Sequence, residues 1–475
     1  MPDAADLLAS DRGSVIAPAG CGKTELIARA ATLNKGRRLL ILTHTNAGLR
    51  ALKDRLHRLR VKPGSAHVDT IAGWALRYAL AYPATSKQSN HDPLGGEWDS
   101  VYRGVADLLD VRGIRAVVQA SYSRVLVDEY QDCSQVQHAP VCKLAATLPT
   151  WVLGDPLQGI FDFGDGLVAW RDVTSDFPQL GELTDPWRWK GKNEQLGAWC
   201  IGLRDALLKG EPIDLSQSRA AVAWRQLTNG AERAKAFSML KLDGGVIVIR
   251  KWEAQAHQFA RTMGGCYRSM EEVEGKALRA FARDMDALDG PLRAARIVEL
   301  GADCHTGIKA TLGAAKKAID EGKVPTPRQA TKHPAVVNAL IAVCHDRSSA
   351  VAHAAMLAIE SLPGCERFRS ELWGTAKRVL KEHVTGKHDR VADSATAIRQ
   401  QQRAAGRLPD RHLVSRTVLV KGLEFDHALV PNAEEFEGKQ AGDGARHFYV
   451  AATRGSRTLS VLSANPVVKF SAPAI

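Results

Sequence analysis

The chain has 475 residues, too many for a single hydrophobic core, so two or more domains are expected. Hydrophobic residues make up 45% and charged residues 24%, an ordinary folded balance that excludes disorder as the default. Lys plus Arg outnumber Asp plus Glu by 64 to 52, and the resulting net charge of +12 suits a polyanionic partner such as nucleic acid without requiring one. Apolar runs stay short of the roughly 18 residues that span a bilayer, and the opening residues show no basic-then-apolar signal, so the reading is a cytoplasmic protein with no membrane partner. Eight cysteines are scattered without a CxxC pair, which argues against a zinc or iron–sulfur site and against a disulfide framework.

In chain order, the apolar run Ser14-Val15-Ile16 leads into APAGCGKT, Ala17 to Thr24, and then into a helical pattern from Glu25 to Ala31. A buried strand, a glycine turn and a helix start make a phosphate cradle. In it Ala19, Gly20 and Gly22 offer backbone N–H groups, Lys23 reaches the β- and γ-phosphates, and Thr24 places its hydroxyl on Mg²⁺. The generic pattern wants glycine at the position of Ala17.

A second strand, Leu39 to Leu42, runs into Thr43, His44, Thr45 and Asn46, and Asp69-Thr70-Ile71 repeats the arrangement after Val68. Hydroxyls, an amide and a stackable ring at the carboxyl end of a strand sit where open α/β sheets bind ligands; helix capping by Thr45 or Asn46 explains the same residues equally well. From Tyr82 to Asp110 the order breaks into turn residues and helical pieces, consistent with a small insertion.

The strand Arg124 to Val127 then enters DEYQDCSQ. Paired carboxylates at a strand end suit hydrolysis of Mg²⁺-ATP, Asp128 holding the metal and Glu129 orienting and deprotonating water. After the strand Trp151 to Leu153, the segment GDPLQGIFDF places Gln158 where it can sense a γ-phosphate, with Phe161 and Phe163 available to stack bases or to fill a core.

These segments together resemble the motifs of superfamily 1 helicases of the UvrD/Rep type, whose first motif reads AxAGxGKT, so that Ala17 is a match. Leu183 to Arg188 resembles the fourth motif, which implies Arg188 as a γ-phosphate arginine and Trp187 as the adenine-stacking aromatic. KGLEFD, Lys421 to Asp426, is similar to the fifth, with Glu424 contacting the nucleotide, and YVAATRGSR, Tyr449 to Arg457, to the sixth, with Arg454 as the arginine finger. Departures fall at the missing adenine-reading glutamine in residues 1 to 16, at Ala72, at Thr417-Val418 and at Gly164.

The resemblance implies an α/β fold of two RecA-like P-loop motor domains of parallel sheet with a helical insertion in each. The first motor domain is assigned to 1–80 and 115–185, its small insertion to 81–114, the second motor domain to 186–264 and 407–475, and the Ala-rich helical insertion to 265–406. It further implies an ATP- and Mg²⁺-dependent motor moving 3′ to 5′ on single-stranded DNA and duplex junctions. The compact length resembles the helicase-like subunit of Gabija anti-phage systems, which acts beside an OLD-family nuclease with a Toprim domain. A nucleotide-gated sensor or regulatory subunit is the rival reading, and a free-standing accessory helicase the alternative setting.

Overall fold

The structure, a computed structural model, describes residues 1–161, 166–217, 221–271, 275–326, 332–405, 410–438 and 442–474. It divides into two compact units, Met1–Thr228 with Lys421–Ile475, and Asn229–Val420. The strands, in chain order, are β1 (Arg12–Ile16), β2 (Leu39–Thr43), β3 (Ala66–Thr70), β4 (Arg124–Val127), β5 (Thr150–Gly154) and β6 (Gln179–Glu182), then β7 (Ile213–Asp214), β8 (Val222–Gln226), β9 (Val246–Arg250), β10 (Arg268–Ser269), β11 (His412–Arg416), β12 (Phe425–Val430), β13 (Gly455–Ser463) and β14 (Val467–Val468).

In the first unit, β1 to β6 form a parallel sheet in the order β3-β2-β4-β5-β1-β6. Every residue of β2, β4 and β5 is buried, which is why these strands read as continuous apolar runs and not as alternations. The two-residue period still sorts their side chains. Leu40, Leu42, Val125 and Val127 enter one core with Trp74 and Phe177, while Leu39, Ile41 and Leu126 enter the core of the opposite face with Ile27 and Leu153. Helices therefore cover both faces of the sheet, as in doubly wound α/β proteins.

The segment read as a small insertion carries a helix, Glu97–Asp110, whose Val101, Tyr102, Val105, Leu108 and Leu109 join the first of these cores. The same unit holds β12, β13 and β8, parallel with β13 in the middle, and the antiparallel pair of β14 with β7.

In the second unit, β11 lies between β9 and β10, all parallel. Among the described residues, seven helices between Lys276 and Ala405 contribute to one large apolar core that includes Phe281, Ile297, Met356 and Trp373. The described residues of 265–406 are mostly helical, with the two-residue β10 as the exception. The loop read at Glu321 to Pro327 is a turn at Glu321-Gly322 followed by irregular chain to Thr326, and Pro327 lies outside the described residues. Among the described residues no helix is long and apolar enough to cross a membrane.

Candidate nucleotide site

The turn after β1 is shaped by glycines in the left-handed region. Gly20 has φ 76° and Gly22 has φ 88°, the latter capping the helix Lys23–Leu33. Space demands glycine as well: a Cβ on Gly20 would lie 2.7 Å from the Trp189 ring and 2.9 Å from Arg188 Cβ, and one on Gly22 would lie 3.0 Å from Trp187. The turn is anchored at its start, where Ala17 N donates to Gly154 O of β5 (2.8 Å), and at Ala19, whose N donates to the Tyr449 hydroxyl (3.2 Å). The first turn of the helix leaves backbone N–H groups facing the loop, together with the positive end of the helix dipole.

The carboxylates arrive from β4, two strands from β1 with β5 between them. Lys23 Nζ lies 3.0 Å from Asp128 Oδ1 and 2.7 Å from Glu129 Oε1, and all three side chains are largely buried. Burial alone would raise the Glu129 carboxyl, but Lys23 and Lys421 outweigh it and hold it at about 2. Burial dominates at Asp128, which is raised despite Lys23, and Lys23 is itself raised because its two carboxylates overcome the cost of burial. Glu129 has φ 57° and ψ 40°, a left-handed conformation that costs a non-glycine residue on the order of 1–3 kcal/mol and clusters at working sites. Gln131 Nε2 fixes its side chain by donating to Oε2 (2.6 Å).

The segment before β12 and the residues just after the helix Asp443–Ala452 bring further groups to this place. Arg454, 1% exposed, donates to the carbonyls of Val450 (2.8 Å) and Leu423 (3.2 Å) and to Gln158 Oε1 (3.4 Å). Burial first, and then Arg188, push it down to about 9. Gln158 is oriented from its other end by Nε2 donating to Asp155 Oδ2 (3.0 Å). Arg188 reaches Glu424 (3.3 Å) and donates to Thr453 O (2.5 Å), while Lys192 lies 2.9 Å from the same Glu424. Trp187, 50% exposed with Lys190 Nζ 4.2 Å from its ring centroid, presents an open aromatic face at the edge of the loop. Thr24 stands one residue beyond Lys23 in the first helical turn. Lys23, Thr24, Asp128, Glu129, Gln158, Arg188, Glu424 and Arg454 therefore all belong to one compact unit.

Sequence reasoning missed the pair that joins these segments. Lys421, quoted within KGLEFD but given no role, is 4% exposed; its Nζ lies 2.5 Å from Asp132 Oδ1, donates to the Gln158 carbonyl and sits 5.3 Å from the centroid of the Phe161 ring. Asp132 has no exposed surface, and burial pushes it up to about 7 against the pull of Lys421. Removing one member of such a pair strands a buried charge. Lys421→Ala is expected to destabilise the protein by roughly 3–5 kcal/mol, and adding Asp132→Asn to recover part of that loss. Urea unfolding of the single and double variants measures it, and simple additivity of the two effects would contradict the coupling.

The residues singled out for polynucleotide contact are placed unevenly. Thr43 is fully buried at the end of β2 and pairs in register with Thr70 of β3. The hydroxyls of Thr45 and Thr70 accept from Gly48 N (3.0 Å) and Gly73 N (2.9 Å), so both cap the helices that follow. Asn46 begins the first of these helices and its side chain lies outside the description. Phe161 is half-buried beside Lys421, whereas Phe163 lies outside the described residues.

His44, half-buried with Nε2 3.2 Å from Cys133 Sγ, is pushed down to about 3 by burial first and then by Lys421. A histidine lowered from 6.5 takes up a proton on unfolding at acidic pH, so its contribution is complete above about 6.5 and is lost as pH falls towards 3. Wild-type stability relative to His44→Gln is expected to drop by about 1.4 kcal/mol per pH unit below about 6.5. Parallel denaturant titrations test this, and a difference independent of pH would contradict a neutral His44.

Residues 97–169 match the family model of the UvrD/REP helicase N-terminal domain. That stretch contains Asp128, Glu129, Gln158 and Phe161, and it supports similarity to superfamily 1 helicases. Among solved structures, the chain is similar to the crystal structure of Bacteroides sp Pif1 in complex with ADP-AlF4, at 13% identity and a TM-score of 0.30 over 55% of this chain and 54% of that chain. The aligned region thus spans about half the length of that relative. No curated protein matches the chain.

Proposed function

We propose that this protein hydrolyses ATP to move along single-stranded DNA, 3′ to 5′ as its resemblance to UvrD/Rep helicases implies. The observation that supports it best is the convergence of Lys23, Asp128 and Glu129 with Gln158 and Arg454 in one buried cluster. In this reading Lys23 and the N–H groups of Gly20 and Gly22 bind phosphate, and that of Ala19 would join them only by leaving the Tyr449 hydroxyl; Trp187 stacks on the base, Glu424 contacts the nucleotide, and Arg188 and Arg454 meet charge on the transferring phosphate.

The donor set also fits a hard divalent cation. A hydroxyl from Thr24 and the carboxylate of Asp128 would hold Mg²⁺, which supplies charge neutralisation on the phosphates. Glu129 is the water-activating base. With Lys23 2.7 Å away its carboxylate is held at about 2, and a shift of Lys23 to phosphate oxygens would relieve that restraint and make the carboxylate more basic.

Phe161 would couple hydrolysis to the track. Its ring contacts Lys421, which in turn bonds the Gln158 carbonyl, so a base stacked on Phe161 and a phosphate at Gln158 would share a neighbour. Base stacking on an aromatic contributes on the order of 1–3 kcal/mol, and Phe161→Ala should weaken single-strand binding accordingly in a filter assay.

A second reading is an ATP- and DNA-responsive regulatory subunit that switches a partner nuclease. It is favoured by the engagement of the site's cations by protein acceptors, Arg188 and Lys192 on Glu424 and Arg454 on backbone carbonyls. Strand displacement on a short tailed duplex separates the two readings: displacement that requires ATP hydrolysis supports the motor, and DNA-stimulated hydrolysis without displacement supports the switch. The OLD/Toprim-type nuclease and the anti-phage setting follow from the compact length alone; recovery of the native protein as an active monomer with no nuclease would remove them.

A further inference from the structure

We propose that His138, Cys142 and Asp176 form a zinc-binding site on the face of the first unit behind the motif that carries Glu129. His138 and Cys142 stand four residues apart on the helix Gln135–Ala145, so both project from one face, and Asp176 is the last residue of the helix Trp170–Asp176. His138 Nε2 lies 2.9 Å from Asp176 Oδ2 and 3.3 Å from Cys142 Sγ, and the sulfur lies 3.8 Å from the same carboxylate oxygen. An ion pair between histidine and aspartate needs only the first of these contacts. The third atom, a soft sulfur, converges on the same point.

The separations match the geometry that zinc imposes. Zn–N and Zn–O bonds of about 2.0–2.1 Å and a Zn–S bond of about 2.3 Å, set at tetrahedral angles, place the donor atoms roughly 3.3–3.6 Å apart. The observed triangle brackets that range, so a few tenths of an ångström of side-chain movement centres an ion. One thiolate and one carboxylate would balance its two positive charges. The thiolate selects zinc over calcium or magnesium, and the half-exposed Asp176 leaves an entry path and a fourth position for water.

The supporting shell is already built. His138 Nδ1 lies 2.7 Å from the hydroxyl of Tyr130, whose ring is fully buried. Metal at Nε2 puts the ring proton on Nδ1, where it donates to that hydroxyl, an outer contact that would fix the tautomer and orientation of the ring. Tyr130 is also the neighbour of Glu129, so an ion here would brace the strained turn from behind. The other convergence of donor atoms among the described residues, Glu253, His257 and Glu271, is different: Arg369 already grips both oxygens of Glu271, at 2.6 and 2.7 Å.

The site is tested on the full chain, stripped with a chelator and titrated with Co²⁺ alone and then with Zn²⁺. One equivalent of Co²⁺ is expected to give a sulfur-to-metal charge-transfer band with tetrahedral visible bands, displaced stoichiometrically by Zn²⁺. Cys142→Ser should abolish the charge-transfer band, and Asp176→Asn should weaken binding at least tenfold. Tyr130→Phe should keep the spectrum and lose on the order of 10–100-fold in affinity. Circular dichroism of each stripped variant establishes that it is folded, and the exposed Asp176→Asn serves where Cys142→Ser is not. Absence of stoichiometric binding by the wild type, or a charge-transfer band that survives in Cys142→Ser, would overturn the site.

Discussion

Glu129→Gln is expected to bind ATP as the wild type does and to lose turnover by about 10²–10⁴-fold, the range for removal of a positioned general base. The substitution keeps the size of the side chain and one carbonyl oxygen, so Gln131 can still donate to it. What it removes is the charge that faces Lys23 at 2.7 Å. Lys23 keeps Asp128 at 3.0 Å, and with one buried carboxylate fewer to hold it, the lysine is freer to meet phosphate. Equilibrium binding of a fluorescent nucleotide should therefore be unchanged or tighter, while steady-state hydrolysis collapses. Hydrolysis at the wild-type rate would eliminate Glu129 as the base.

Arg454→Ala is expected to lower turnover by about 10³–10⁵-fold, the range measured for arginine fingers. The guanidinium is buried and aimed at Gln158, and its charged state is already disfavoured by burial and by Arg188, so anionic charge developing nearby would be met by an incompletely compensated cation. The alanine variant also removes the guanidinium donor from the Leu423 carbonyl and one of two side-chain donors from the Val450 carbonyl, and so costs stability. Arg454→Lys separates the two effects: it retains a charge but not the planar fork, and should fold while remaining strongly impaired. Single-turnover hydrolysis with saturating nucleotide gives the chemical step directly, and a lysine variant with wild-type turnover would remove Arg454 from the reaction.

Most of the first sheet was legible from the chain. Leu39 to Leu42, Val125 to Val127 and Trp151 to Leu153 are apolar without interruption because both faces of the sheet are covered, and such runs announce themselves locally. The residues that follow each run were legible for the same reason: in a parallel sheet, whatever follows the strands gathers along one edge, so Lys23, Asp128 and Gln158 become neighbours through topology alone. The glycine turn needed no tertiary information either, since positive φ at Gly20 and Gly22 is written into the residue type.

Other features were decided by tertiary structure, because they depend on which competing partner a polar group finds. Thr45 reads equally well as a ligand contact or as a cap, and the fold uses its hydroxyl, like that of Thr70, as a cap. Lys421 reads as one more cation of a basic chain until the fold buries it on Asp132, 289 residues away in sequence. His138 and Cys142 stand four residues apart on one helix, but Asp176 comes from the end of another, and only the fold brings it beside them. Local pattern determines strands, turns and helices because their hydrogen bonds and periods are local. The pairing of charges such as Lys421 with Asp132 is set by burial across long sequence separations, where low dielectric makes the choice of partner costly and therefore specific.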